Sequence, residues 1–132
     1  MYLVDTSAWL DYLQGRDTGA SELLAEVLDR GIPFGITGPI YQELLQGAAS
    51  EQDFAKLVEY LGTQRFYHPE DPVDSYRQAA LLYLRCRRAG ITIRSTIDCL
   101  IARQAIEGNL FLLHNDRDFA NMACVVPELK LA

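Results

Sequence analysis

With 132 residues, 49% of them hydrophobic and 23% charged, the chain has the size of one domain and is too apolar to be disordered. Its mass of 14.9 kDa predicts a folded surface of about 7,000 Å² and burial of about two thirds of the unfolded surface, enough for a core without disulfides or a structural metal. Eighteen acidic against twelve basic residues leave a formal net charge of −6, which on the simplest rule argues against a nucleic-acid partner.

In chain order, Tyr2–Val4 predicts a first strand, cut off at Asp5. Ser7–Leu13 predicts a short helix ended by Gly15, and Ala20–Leu28 continues at helical spacing up to Gly31. Ile32–Ile36 reads as a second strand. Thr37-Gly38-Pro39 opens a helix through Leu45, with proline at its first turn. Ser50–Leu61 is helical by the period of Phe54, Leu57, Val58 and Leu61, and Arg65–His68 is a brief strand before the Pro69–Pro72 break. Val73–Ala89 carries the strongest helical pattern, with Tyr76, Ala79, Ala80, Tyr83 and Leu84 on one side. Ser95–Ile106 is helical again, Leu110–His114 is a strand, Phe119 lies in a short final turn, and Val125–Val126 is expected as a last edge strand. Strands alternating with helices predict an α/β domain over 1–132: a mostly parallel sheet of four to five strands, covered by helices on both faces.

Apolar runs such as Leu110–Leu113 are too short to span a bilayer. Met1-Tyr2-Leu3-Val4 shows neither the basic nor the long apolar region of an export signal. Cys86, Cys99 and Cys124 are odd in number and form no C-x-x-C pair, which predicts free thiols in a reducing compartment. The expectation is a soluble cytoplasmic protein without a membrane partner.

In an open parallel sheet, ligands bind beyond the carboxyl ends of the strands. Asp5 directly follows the first strand, Glu43 lies on the helix after the second, Asp98 is in the first turn of the Ser95 helix, and Asp116 follows Leu112-Leu113-His114-Asn115. Each has an ordinary structural explanation. Asp5 and Thr6 serve as helix caps, Ser95-Thr96-Ile97-Asp98 has capping-box spacing, Asp116 and Asp118 suit a turn, and Glu43 suits a solvated helix face. Together they are harder to dismiss, because clustered carboxylates repel unless a cation neutralises them. Such a set, without helpful His or Cys, suits Mg²⁺ or Mn²⁺ better than zinc, and such sites typically act on phosphates. No dinucleotide fingerprint, P-loop or serine elbow competes. His68 and His114 are isolated, and Trp9 and Phe119 read as core or interface residues.

Charge distribution tempers the exclusion of nucleic acid. Residues 1–66 carry four basic and ten acidic groups, whereas residues 67–132 carry eight of each. Between Ser75 and Ile97 stand Arg77, Arg85, Arg87, Arg88 and Arg94 with no acid among them. This positive stretch is either a solvated helix end or a holder for a polyanion, with Arg94 the nearest candidate for substrate phosphate.

With these residues in place, the chain resembles a PIN domain over essentially its whole length, most closely the small VapC-type toxin ribonucleases of bacterial toxin–antitoxin modules. Leu3-Val4-Asp5-Thr6-Ser7-Ala8-Trp9-Leu10 is similar to the opening motif, Glu43-Leu44-Leu45-Gln46-Gly47 to the second, Asp98-Cys99-Leu100-Ile101-Ala102 to the third, and Leu112–Phe119 to the fourth. Where the family often has Thr, this chain has His114. The resemblance implies a metal-dependent endoribonuclease. Asp5, Asp98 and Asp116 would hold Mg²⁺ or Mn²⁺, and Glu43 would complete the acidic site. Asp118 would be an outer ligand, with Thr6 or Ser7 orienting Asp5. It also implies a homodimer silenced by a co-encoded antitoxin. The alternatives are an inactive PIN-like binding module or another Mg-dependent phosphate-handling α/β enzyme.

Overall fold

Strands in this molecule are short, and most give way to a residue that turns the chain into a helix. A computed structural model describes residues 1–132, with β1 (Tyr2–Val4), α1 (Thr6–Leu13), α2 (Gly19–Asp29), β2 (Phe34–Thr37), α3 (Gly38–Gln46), α4 (Glu51–Leu61), β3 (Phe66–Tyr67), α5 (Pro72–Arg88), α6 (Thr96–Glu107), β4 (Phe111–Leu113), α7 (Arg117–Ala123) and β5 (Lys130–Leu131). All five strands are parallel, in the order β3-β2-β1-β4-β5. The central strand β1 pairs Leu3 with Gly35 on one side and with Leu112 on the other. The parallel α/β class expected from the alternation of elements is therefore realised in full.

Burial on both faces explains why the strands read as continuous apolar runs rather than alternating ones. Leu3, Val4, Ile36, Leu112 and Leu113 are all buried, and Trp9 and Phe119 join the same core. Gly35 makes the edge pairing possible. A Cβ there would lie 2.7 Å from the Arg65 carbonyl and would collide with the Tyr67 ring, so only glycine lets β3 approach β2 this closely. The total exposed surface is 7532 Å².

Three expectations are corrected. The last strand is Lys130–Leu131, not Val125–Val126: Val126 is buried by packing rather than by pairing, and Pro127 has no N–H with which to continue a ladder. Phe119 lies in a true helix of seven residues, α7, capped by Asp116. On α5 the core stripe runs through Ser75, Ala79, Leu82 and Cys86, while Tyr76, Tyr83 and Leu84 face outward. Tyr76 and Tyr83 instead line an open apolar groove with Ile97 and Leu100 of α6. The cysteines are free, as expected. No helix is long and apolar enough to cross a membrane.

Candidate functional site

The carboxyl ends of β1, β2 and β4 converge on one edge of the sheet, and the acids follow them. Asp5 ends β1 and is the N-cap of α1: its Oδ2 accepts the Ser7 N–H at 3.0 Å and the Ser7 hydroxyl at 2.6 Å. Glu43 projects from α3, and its Oε1 accepts the Thr6 hydroxyl at 3.0 Å. Asp116 caps α7, its Oδ1 accepting the Asp118 N–H at 2.9 Å. The capping explanations for Asp5 and Asp116 thus hold alongside membership of the cluster. For Asp98 the capping explanation fails, since the Ser95 side chain makes no cap bond to α6.

Asp98, Asp116 and Asp118 each present an oxygen within 4.8 Å of the others. This compact triplet contains Asp118, which was expected only at the margin, and not Asp5. Asp5 nevertheless stands near enough to raise the Asp98 carboxyl electrostatically. Burial first, then the charges of Asp5, Asp116, Glu43 and Asp118, push Asp98 up to about 7. Burial likewise raises Asp5 and Glu43, against the hydrogen bonds from Ser7 and Thr6. Asp118 goes the other way. Its burial favours the neutral form, but the hydrogen bonds and charge of Arg94 outweigh that and hold its carboxyl below the usual range.

Arg94 is the one guanidinium among these acids. Its Nε donates to Asp118 Oδ2 at 3.0 Å, its backbone N–H donates to the same oxygen at 3.2 Å, and its Nη2 donates to Asp116 Oδ1 at 3.1 Å. A groove of about 580 Å³ lies beside the Arg94–Asp118 pair, lined by Arg94, Arg117, Asp118 and Asn121. Arg85, Arg87 and Arg88 stand apart in the last turn of α5, where positive charge favours the helix dipole.

Sequence reasoning missed a second layer of support. The Asn115 N–H donates to Ser7 Oγ at 2.8 Å, and its Nδ2 donates to Asp11 Oδ2 at 2.6 Å. The Thr18 hydroxyl and Arg16 also hold Asp11. This chain of bonds ties the loop that carries Asp116 to the helix that carries Asp5. Its only sequence signal was Asp11 itself, three residues after Ala8 and hence on the buried face of α1. His114 Nδ1 accepts the Asp116 N–H at 3.2 Å, which leaves the ring proton on Nε2, and burial lowers its pKa. His68 stacks on Phe66 away from the cluster.

An all-oxygen donor set of crowded carboxylates fits a hard divalent ion, and no sulfur or imidazole enters the triplet that would favour zinc. The model of the PIN domain family matches residues 2–124. The chain belongs to the PIN-domain family. Within it, the chain belongs with the VapC ribonucleases: it is 34% identical over 120 residues to VapC ribonuclease Mb1587 of Mycobacterium bovis and to Ribonuclease VapC11 of Mycobacterium tuberculosis, covering 90% of this chain and 89% of each relative. Solved structures share the fold at 20% identity. VapBC-1 from nontypeable Haemophilus influenzae superposes with a TM-score of 0.75 and VapBC2 from Rickettsia felis, bound to a promoter DNA fragment, with 0.72, each covering 99% of this chain and 96% of its own.

Proposed function

We propose that this chain is the toxin of a toxin–antitoxin pair, a Mg²⁺- or Mn²⁺-dependent endoribonuclease that hydrolyses RNA phosphodiester bonds at Asp5, Glu43, Asp98 and Asp116. It would act in the cytoplasm as a homodimer silenced by its antitoxin. The observation that carries this reading is the packing of Asp98, Asp116 and Asp118 oxygens within 4.8 Å of one another, beside Asp5 and Glu43. The VapC ribonuclease relatives support the RNA substrate, and the VapBC structures support the antitoxin partner.

Asp98 and Asp116 would hold the ion together with Asp5, whose Oδ1 is left open because Ser7 engages Oδ2. When bound, a divalent ion supplies neutralisation of charge at the scissile phosphate and activation of the attacking water. Glu43 Oε1 is fixed by Thr6, which leaves Oε2 as the oxygen that would take a proton from an attacking water, a task helped by its raised pKa. Ser7 and Asn115 keep the β1 and β4 ends at a fixed spacing. The groove past Arg94 and Arg117 gives the polyanion a positive approach across an acidic surface.

The test is incubation of the purified protein with total cellular RNA, with and without EDTA, followed by mapping of the cut sites. Cleavage that EDTA abolishes, and that Asp5→Asn loses, is the expected result. Cleavage at the wild-type rate by Asp5→Asn with Mg²⁺ or Mn²⁺ supplied would refute the assigned site.

A further inference from the structure

Arg94 makes three hydrogen bonds to two acids, and the two acids differ in how firmly they hold it. Asp118 is buried, its side chain 5% exposed, and one of its oxygens takes both the backbone N–H and the Nε–H of Arg94. Leaving that carboxylate unpaired would strand a charge in the interior, so this contact persists. Asp116 is 27% exposed, and its contact with Arg94 is a single Nη2–Oδ1 bond of 3.1 Å. The Arg94 side chain as a whole is 60% exposed. The bond to Asp116 is therefore the one that can open while the residue stays anchored.

Asp116 Oδ1 already accepts the Asp118 N–H, so with Arg94 added that oxygen is fully engaged. A divalent ion held by Asp98 and Asp116 would face the positive charge of Arg94 at contact range. Asp116 Oδ2 stays open to the ion, so the ion and the Nη2 contact compete for the charge of one carboxylate and not for one oxygen.

We infer that Arg94 is an intramolecular counter-ion of the acidic site: it occupies Asp116 in the metal-free protein, yields it to the ion, and, pivoting on Asp118, turns its freed Nη2 toward a phosphate of the substrate. The inference rests on the metal-dependent reading above and deepens it. Arg94 acts in two positions, as a stand-in cation before loading and as a phosphate ligand after it. No separate loop has to move, because the pivot is the Nε–Asp118 bond.

The experiment measures Mn²⁺ affinity by calorimetry on the RNA-free protein, for wild type, Arg94→Met and Arg117→Met, with circular dichroism confirming the fold. Arg117 lies on the first turn of α7 and makes no ion pair with Asp116, so its replacement removes a nearby charge without removing a competitor. Competition predicts that Arg94→Met binds Mn²⁺ about five- to tenfold more tightly, with Arg117→Met within about twofold of wild type. The double variant Arg94→Met/Asp118→Asn, compared with Asp118→Asn alone, repeats the test without a stranded buried charge. A second arm measures binding of an uncleavable 2′-O-methyl RNA with Mg²⁺ present. There Arg94→Met weakens binding and lowers the salt slope by about one unit. Tighter metal binding with weaker RNA binding is the expected pair. If Arg94→Met binds Mn²⁺ equally or more weakly, Arg94 is a fixed support for Asp116 and the inference fails. Equal gains in Arg94→Met and Arg117→Met would leave only a general field effect and overturn it too. An unchanged RNA affinity would remove the second position. A wild type that binds no Mn²⁺ at all would instead overturn the metal-dependent reading itself.

Discussion

The two flanks of the acidic site are built by different means. On the β1–β2 side, Asp5 and Glu43 are held by neutral donors, the Ser7 N–H and hydroxyl and the Thr6 hydroxyl, and both carboxyls stay above their ordinary range. On the β4 side, Asp118 is held by a guanidinium and falls below it. Asp98 stands between them, pushed up to about 7 by burial and by charge from both flanks. Neutral donors fix a carboxylate without satisfying its charge, so the first flank keeps its demand for a cation. A guanidinium meets that demand in part, so the second flank is poised and already partly neutralised.

The sharpest way to break the comparison is Asp98→Asn, which removes the charge that both flanks act on. Cleavage should fall by more than about 100-fold, since residues that merely orient a metal ligand are worth about 10- to 100-fold. The same variant in metal-free buffer at pH 8 should melt higher than wild type, because an ionised Asp98 opposes folding there. A lower melting point would mean that Asp98 is not strained.

Next in size is the effect of pH on the metal-free protein. Asp98 titrates near 7 when folded against 3.8 when unfolded, so between those values the folded state binds more protons. The contribution of Asp98 to stability is then fully present below about pH 4 and is lost as pH rises through 7. Saturating Mg²⁺ or Mn²⁺ should invert this slope, because the ion binds only the deprotonated acids and stabilises by mass action. Thermal melts across pH 5–8 with and without metal read both signs, and coincident curves would contradict convergence of the acids.

A smaller change is expected from Ser7→Ala, which removes the hydroxyl bond to Asp5 Oδ2 while the backbone N–H bond stays, and cuts the link to Asn115. Activity and Mn²⁺ affinity should drop by about tenfold, with little change in folding. Thr6→Val should do least, relaxing Glu43 alone and moving the acidic limb of the pH–rate profile to higher pH, because the lost bond had lowered the Glu43 pKa, with metal affinity unchanged. If Thr6→Val were the more damaging of the two, the neutral-donor flank would be organised around Glu43 and not Asp5.

Much of this was legible in the sequence, for physical reasons that differ by element. Asp5 could be placed because a strand of three apolar residues stops at a residue that also caps a helix. Glu43 stood out because no capping duty accounted for it. The partition of Asp116 and Asp118 was not legible: both stand at the start of α7, and only the fold shows that Asp118 is buried against Arg94 while Asp116 remains half-exposed. The pairing of Asn115 with Asp11 was likewise invisible, since 104 residues separate them. β5 was misplaced because a two-residue strand takes its position from the neighbour it pairs with, and the Val125–Val126 run, of which Val126 is buried, carries the same apolar signal.

The position of β1 at the centre of the sheet has a further consequence for the chain while it is being synthesised. β1 is made first, yet one of its two neighbours, β4, arrives more than a hundred residues later, pairing Leu3 with Leu112. Asp5 and Glu43 leave the ribosome early, but nothing fixes them against Asp98 and Asp116 until β4 has slotted in beside β1. Because such distant pairings close late, a nascent or prematurely ended chain is left without the assembled acids. The acids therefore come together only once the chain has been made through β4.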